Sequence, residues 1–432
     1  MADQLSNYKC QACMGPLRFV GESGRLECEH CGSSYTVSQI ESLMDEDYQK
    51  AKEADLAESS KEEWTPEGMK SYNCPQCGAQ LITDETTAAT ACPYCGNQAV
   101  VSGAFAGDLE PDYILPFKLG QDVAKDRLRN HYKHRPLLPR NFSNENHIDK
   151  IQGVYVPFWL YNGKVAGSAS FDATKEFRTE TATETVITTD HYMVMRGGDA
   201  TFVGVPVDAS SKMPDAYMDS IEPYDYSQMK DFSKAYLAGY LADRYDVSPI
   251  AARDKAKGRV TKTFLAMLAQ TVVGYSSFIN TSANTNLSFG KVGYAMLPVY
   301  MLSTNWNGKN YLFAMNGQTG KMVGDLPIDA GKLIRNVLIT IIICLLAAFG
   351  IVYLVNHEFT MVPSAVAGIS SLIMGLIVGL VQWRMMKTVH IASKAWDYMP
   401  RDKFRLTLTT DTFVRQQVSR VSKQTYSGNN HY

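Results

Sequence analysis

The sequence predicts a multidomain chain: two small cysteine-built ribbons in front, an α+β domain in the middle, and an apolar two-helix hairpin followed by a short tail. Three observations carry that reading. Eight of the nine cysteines fall into two quartets of identical spacing, two charge-free runs of nineteen and twenty-one residues stand back to back late in the chain, and strand-like and helix-like patterns alternate between them. At 432 residues there is room for about three domains of ~150 residues each. An apolar fraction of 45%, a charged fraction of 20% and a net charge of −2 exclude a disordered chain, and 31 Gly with 17 Pro exclude a collagen-like one.

The quartets are Cys10, Cys13, Cys28, Cys31 and Cys74, Cys77, Cys92, Cys95. Each reads C-x2-C, fourteen residues, C-x2-C, and the second repeats the first at an offset of 64. The same offset relates Tyr8 to Tyr72, Leu17 to Leu81 and Gly32 to Gly96, so one module has been duplicated. A C-x2-C turn brings two thiolates to one side, and a second turn on a facing hairpin completes a tetrahedron for zinc. The metal replaces the core that ~25 residues cannot build. Gly32 and Gly96 suit a left-handed turn that lets backbone N–H groups approach sulfur.

Two other readings of these cysteines fit less well. Redox dithiols do not come as four pairs with duplicated spacing, and Met1–Cys10 shows no signal peptide for a disulfide-bonded secreted domain. The expectation is two structural zinc ions, one in a ribbon over residues 1–44 and one in a ribbon over 71–107, acting independently across the 64-residue spacing. Four thiolates close each site, so His30, beside Glu29 in the first ribbon, is expected as a bystander and metal catalysis is not expected.

Charge is segregated along the chain. Residues 1–107 hold seven Lys/Arg against sixteen Asp/Glu, a net of −9, and residues 384–432 hold nine against three, a net of +6. An acidic front opposes binding to nucleic-acid phosphates, which rests on neutralisation by Lys and Arg. A basic tail beside an apolar stretch points to a membrane surface instead. In the linker over 45–70, Asp45–Glu63 contains eight acids and three lysines without Gly or Pro, which predicts an exposed helix with Trp64 packing at its end. That helix is either a solvated spacer or an acidic docking surface.

The α+β domain spans 108–330. Strands are expected around Val154–Tyr161, Thr185–Met195 and Val292–Leu302, and helices over Asp231–Tyr245 and Ser248–Val273, the latter opened by Ser248-Pro249. Ile114-Leu115-Pro116-Phe117, Tyr155-Val156-Pro157-Phe158-Trp159 and Met296-Leu297-Pro298-Val299-Tyr300 resemble one another, and their prolines suggest edges or bulges. Asn307-Gly308 and Asn316-Gly317 read as hairpin turns. Gly317-Gln318-Thr319-Gly320-Lys321 is not a phosphate loop, because Met315 and Met322 stand where a Walker motif needs Gly and Ser or Thr. There is no nucleophile elbow and no HExxH, and His131, His134, His147 and His191 belong to no motif with a mechanism.

The hairpin spans 333–383. Val337–Val355 and Met361–Val381 carry no charge, and ~20 residues at ~1.5 Å each cross a ~30 Å hydrocarbon layer. The intervening Asn356–Thr360 is short enough to make the two helices antiparallel. Lys332, Arg335, Arg384, Lys387 and Lys394 flank the pair and the loop has no Lys or Arg, so the positive-inside rule puts both termini in the cytoplasm of a two-pass membrane protein. Reduced thiolates agree with that compartment. Cys344 reads as a small apolar residue, and Gly375 with Gly379 as a close-packing pair, within the hairpin or between copies. In the tail over 384–432, Arg384–Met399 is expected to prolong the second helix, Phe404, Leu406 and Leu408 to form a strand joining the middle domain's sheet, and Ser427–Tyr432 to fray.

The two quartets, Val154–Trp159, Leu297–Tyr300, Tyr311–Lys321 and the late hairpin together resemble a bacterial family of membrane proteins with N-terminal transcription-factor-IIB-type zinc ribbons. Gln11 and Glu29 depart from that family's pattern, which often has proline after the leading cysteine. The resemblance implies a place in phage-shock-type envelope-stress modules, beside a coiled-coil membrane-repair protein and a flotillin-like scaffold. The expected function is a non-enzymatic membrane adaptor that recruits such cytoplasmic partners. The alternative is a nucleic-acid-binding or replication-associated ribbon protein, which the acidic front opposes. The sequence does not specify an oligomeric state.

Overall fold

The computed structural model describes residues 10, 17–39, 69–84, 92–95, 101–103, 109–133, 135–145, 148–181, 183–356, 361–390 and 393–422. The expected helix over Asp45–Glu63, Trp64 and the chain end at Ser427–Tyr432 lie outside the described residues.

Strands β1 (Leu17–Val20), β2 (Arg25–Cys28) and β3 (Ser34–Tyr35) form a small antiparallel sheet, with Leu17 opposite Cys28 and Val20 opposite Arg25. Alternation puts Leu17, Phe19, Leu26 and Cys28 inside. Strands β4 (Met69–Asn73), β5 (Gln80–Asp84) and β6 (Val101–Gly103) build the second ribbon. The duplication shows in the backbone: Leu17 lies in β1 and its equivalent Leu81 in β5, and both are buried.

The remaining elements are β7 (Tyr113–Ile114), α1 (Gln121–Lys133), α2 (Arg140–Glu145), β8 (Gln152–Glu180), β9 (Glu184–Asp208), α3 (Asp215–Ile221), β10 (Lys230–Asp231), β11 (Leu241–Asp243), α4 (Pro249–Gln270), β12 (Ser277–Trp306), β13 (Lys309–Asn316), β14 (Met322–Gly324), α5 (Ala330–Asn356), α6 (Met361–Met385) and β15 (Phe404–Ser422). They fall into two compact units. One comprises Met1–Phe158, Asp208–Val247 and Tyr294–Ile391, and the other Trp159–Val207, Ser248–Gly293 and Ala392–Tyr432.

The first unit is built on a mixed sheet of order β10-β7-β12-β8-β11-β5-β4-β6. β7 runs parallel to β12, and β11 parallel to β8 but antiparallel to β5, with Asp243 opposite Leu81. The second ribbon is therefore continuous with the main sheet. The three proline-containing stretches lie in or next to β7, β8 and β12, and Leu115 N–H donates to Met296 O at 2.9 Å. They are interior, not edges. Proline lacks only the donor, and the carbonyls of Pro157 and Pro298 still accept from Ala209 (3.0 Å) and Gly317 (2.9 Å). The core centres on Phe117, which stacks on Tyr240 at 4.1 Å and meets Tyr155 and Tyr300 edge-on.

No helix forms over Asp231–Tyr245. Ser233 Oγ caps a single 3-10 turn at Lys234–Leu237 by accepting from Ala235 N–H, and Leu241–Asp243 then extends as β11. There its backbone gains ladder bonds to β8 on one side and β5 on the other, which a helix would forfeit. The Asn307-Gly308 turn joins β12 to β13 with both residues at positive φ, +49° and +76°, and Trp306 pairs with Lys309, a two-residue hairpin of the type I′ kind. The turn from β13 to β14 is longer. Asn316 Oδ1 accepts from Gln318 and Thr319 N–H, and Lys321 Nζ donates to Glu222 O at 2.5 Å. The segment's polar groups are thus spent on its own turn and the neighbouring loop.

In the second unit β9 lies between β8 and β15, and β15 pairs with β9 from Phe404 opposite Ala200 to Ser422 opposite Glu184. The expected tail strand is present and much longer than its first three apolar residues suggest. Helix α4 starts where Ser248-Pro249 predicts, with Ser248 Oγ accepting from Ala251 N–H at 3.2 Å. Its buried face carries Ala252, Ala256, Val260, Phe264 and Leu268, together with Arg259, whose guanidinium donates to Pro206 O at 2.7 Å and Lys394 O at 3.4 Å.

Helices α5 and α6 are long and apolar enough to cross a membrane: Ala330–Leu354 and Ser364–Met385 contain 18-residue stretches of mean hydropathy 2.9 and 2.2. They pack antiparallel: Gly375 faces Ile341, Gly379 faces Val337, and Asn336 Nδ2 donates to Gln382 Oε1 at 3.1 Å. The glycine pair thus packs the hairpin itself. Arg384–Met399 does not prolong α6. The helix stops at Met385, Met386 turns inward, and Thr388 Oγ1 closes the edge of β14 by bonding both Gly324 N–H and Gly324 O at 2.8 Å. Farther on, Ala395 N–H donates to Thr263 Oγ1 at 2.7 Å in the second unit. The residues after Met385 thus find side-chain partners that a continuous helix would deny them.

Candidate metal centres

Two groups of thiols stand close enough to hold a metal ion: Cys74, Cys77, Cys92 and Cys95 in one, and Cys10, Cys28 and Cys31 in the other, the sulfurs of each group within 4.8 Å of one another. Cys13 lies outside the described residues. Sequence spacing therefore brings together every predicted ligand that the structure describes.

In the second cluster Cys74 Sγ lies 3.6 Å from Cys95 Sγ, and Cys77 Sγ 3.6 Å from Cys92 Sγ. In the first, Cys10 Sγ is 3.4 Å from Cys31 Sγ. A tetrahedral ion with ~2.3 Å metal–sulfur bonds sets its thiolates ~3.8 Å apart, so both clusters are nearly preformed for one. The local backbone explains why. Two of the knuckles close with a glycine at positive φ, Gly32 at +73° and Gly78 at +69°, whose N–H donates to the carbonyl of the knuckle's first cysteine, Cys28 or Cys74, while Gly96 lies outside the described residues.

Electrostatics within the second cluster are uneven. Burial pushes the Cys74 thiol up, but the amides of Cys77 and Gln76 and the thiols of Cys95 and Cys77 outweigh it and bring the group down to about 7. Burial pushes Cys77 up to about 11 against a bond from Ala79, and it raises Cys92 as well. A buried set of thiols that holds protons so unequally gains from a cation at its centre, which supplies the counter-charge the protein lacks.

Three contacts were not legible in sequence. Tyr35 Oη lies 3.5 Å from Cys10 Sγ and Ser33 Oγ 3.1 Å from Cys31 Sγ. Tyr94, inside the Cys92–Cys95 knuckle, is buried; burial and the nearby Asp243 of β11 hold its phenol far above the usual range. Position beside a ligand is the only sequence signal for these residues. His30 is exposed and outside the cluster, Glu29 pairs with Arg18 at 3.5 Å, and Cys344 lies in α5, away from both clusters. His131 is tucked against Phe313 with Nε2 at 3.3 Å from Gly324 O, and His191 lies in β9; His134 and His147 fall outside the described residues.

Both clusters are fastened to one strip of the first unit. Phe19 N–H of β1 donates to Ala238 O at 3.1 Å and its ring meets Tyr236 at 5.1 Å, while β5 pairs with Ala242 and Asp243. The segment expected as a helix is the common dock of the two metal modules.

Comparison with known proteins finds no matching family model and no matching solved structure. It does find the uncharacterized protein YdjG of Bacillus subtilis (strain 168), 34% identical over 326 residues, which are 76% of this chain and 91% of that protein. Similarity of that extent over most of both chains is common descent, and the chain belongs to the family of YdjG.

Proposed function

We propose that this protein is a membrane-anchored zinc protein whose cytoplasmic body serves as a non-enzymatic platform that recruits partner proteins to the membrane. The observation that carries the reading is the antiparallel α5–α6 hairpin tied at its base to the sheet that holds the cysteine clusters. Leu326 N–H donates to Met386 O, Asp329 N–H to Leu137 O and Lys332 Nζ to Leu138 O, at 3.3, 2.9 and 2.5 Å, and the Arg135 guanidinium bonds Met385 O. A body bolted to two spans in this way stays at the membrane surface.

Zinc suits four thiolates in a closed tetrahedral site, and such zinc sites fold a module rather than catalyse. The basic flanks of the hairpin, and thiolates that the cytosol keeps reduced, support a reading with both termini on the cytoplasmic side. The net of −9 over residues 1–107, made more negative by four thiolates around each Zn²⁺, repels phosphate and attracts a basic protein surface. The partner class is the one the sequence resemblance implies: a phage-shock-type coiled-coil protein or a flotillin-like scaffold.

The test is fluorescence localisation of such a coiled-coil partner in cells with and without this protein, and with a variant in which Lys replaces acids of the Asp45–Glu63 stretch. The expected result is a partner at the membrane only with the wild-type chain. A partner equally membrane-bound in all three strains overturns the adaptor reading.

A further inference from the structure

We infer that the base of the α5–α6 hairpin is a binding surface for the phosphate headgroups of anionic phospholipids; the inference rests on the reading of that hairpin as a membrane anchor. Arg135, Lys332, Arg335, Arg384 and Lys387 gather at this one end of the helix pair. The bond between Asn336 and Gln382 fixes the level, because it puts the adjoining Arg335 of α5 and Arg384 of α6 at the same height. Above that level neither run, Val337–Val355 nor Met361–Val381, carries a charge. The sequence between the two runs, Asn356–Thr360, holds Glu358 and no Lys or Arg, so the cations belong to one end of the helix pair alone.

The five cations divide by task. Lys332 and Arg135 are committed to the carbonyls of Leu138 and Met385, which bolt the hairpin to the body. Arg335, Arg384 and Lys387 are exposed. Lys387 Nζ stands 4.4 Å over the ring of Trp383, the aromatic residue at the same level, which suits the headgroup zone. Asp329, the nearby acid at the start of α5, is occupied as a cap, its Oδ1 accepting from Lys332 N–H at 3.0 Å. Three exposed cations on a ring two helices wide, with hydrocarbon on one side and protein on the other, meet phosphates where an anionic leaflet places them. Guanidinium groups accept phosphate oxygens through paired N–H donors. Attraction of this kind amounts to roughly fivefold in affinity for each cation near the surface, and salt weakens it.

The experiment uses the full-length protein purified in a neutral detergent. Thermal unfolding is followed with added phosphatidylglycerol, phosphatidylcholine or free glycerol phosphate, at low and at high salt. The expected result is a rise in Tm of several degrees with phosphatidylglycerol at low salt, a smaller rise at high salt, and none with the other two. Arg335→Gln/Arg384→Gln/Lys387→Gln should lose the phosphatidylglycerol effect, and Arg335→Lys/Arg384→Lys should keep most of it. Equal shifts with both lipids, or a shift untouched by salt or by the triple substitution, overturn the inference. Should the triple variant fail to fold, the lipid and salt arms on the wild-type chain decide alone. Resistance of the protein to carbonate extraction from membranes tests the anchor separately, so failure of lipid selectivity is distinguishable from failure of the membrane reading.

Discussion

At the residue scale, Gly375 shows how one missing side chain sets the packing of two helices. A Cβ there would stand 2.3 Å from Ile341 Cγ1, closer than atoms approach, while Gly350 and Gly368 look onto open space. Gly375→Leu should therefore force α5 and α6 apart at a cost of about 1–3 kcal/mol. Gly350→Ala and Gly368→Ala should be neutral or slightly stabilising, since alanine is the better helix former. Thermal melts of the three purified variants in detergent would read the difference, and equal melts for Gly375→Leu and wild type would refute the packing assignment. His131 gives a second residue-scale prediction. Burial, with the positive charge of Arg135 beside it, brings its imidazole down to about 4, against about 6.5 in the unfolded chain. Between those values the unfolded state binds the extra proton, so the stability tied to neutral His131 is complete above pH ~6.5 and is lost as pH falls toward 4, by about 3 kcal/mol. His131→Leu should flatten that part of the pH profile relative to wild type.

At the scale of elements, the sequence was most legible where chemistry is local. The cysteine quartets follow from spacing, the start of α4 from Ser248-Pro249, the tight turn from Asn307-Gly308, and the hairpin helices from the absence of charge. It was least legible where a segment's partners are distant. Asp231–Tyr245 has helix-like patterning, yet its backbone is claimed by β5 and β8, more than eighty residues away in sequence on either count. Arg384–Met399 likewise leaves its helix for Gly324 and, farther on, for Thr263. Spacing suggests two metal modules that act separately, whereas the shared dock at Tyr236–Asp243 offers a route for coupling, which one substitution distinguishes. Cys74→Ser should lower the metal content of the purified protein by one ion. It should also weaken the first cluster, because an unfolded second ribbon releases β11 and with it the neighbouring strip that holds Phe19. Competition of the remaining metal with a chromogenic chelator would measure this; release at the wild-type affinity of the first site would show the clusters to be independent after all.

At the scale of the whole molecule, the question is what the front of the chain does for the rest. The acidic modules are the proposed recruiting surface, and deletion of residues 1–107 is the obvious way to remove them. The structure argues that this deletion would do more. It takes away β5, leaving the β11 edge of the main sheet with unpaired backbone groups, and it strips Phe19 from Tyr236. The hairpin is untouched, because its apolar length and its anchors at Leu137, Leu138 and Arg135 lie outside the deleted stretch. The truncated chain should therefore remain in the carbonate-resistant membrane fraction while its body becomes sensitive to limited proteolysis within Ser233–Asp246, where the full-length chain is protected. Cleavage there at the same rate in both chains would show that the ribbons sit on the body without supporting it. Protection in the full-length chain alone would mean that lost recruitment after truncation reports on a damaged platform, and that substitutions of surface charge, which leave β5 paired, are the sound way to locate the partner's footprint.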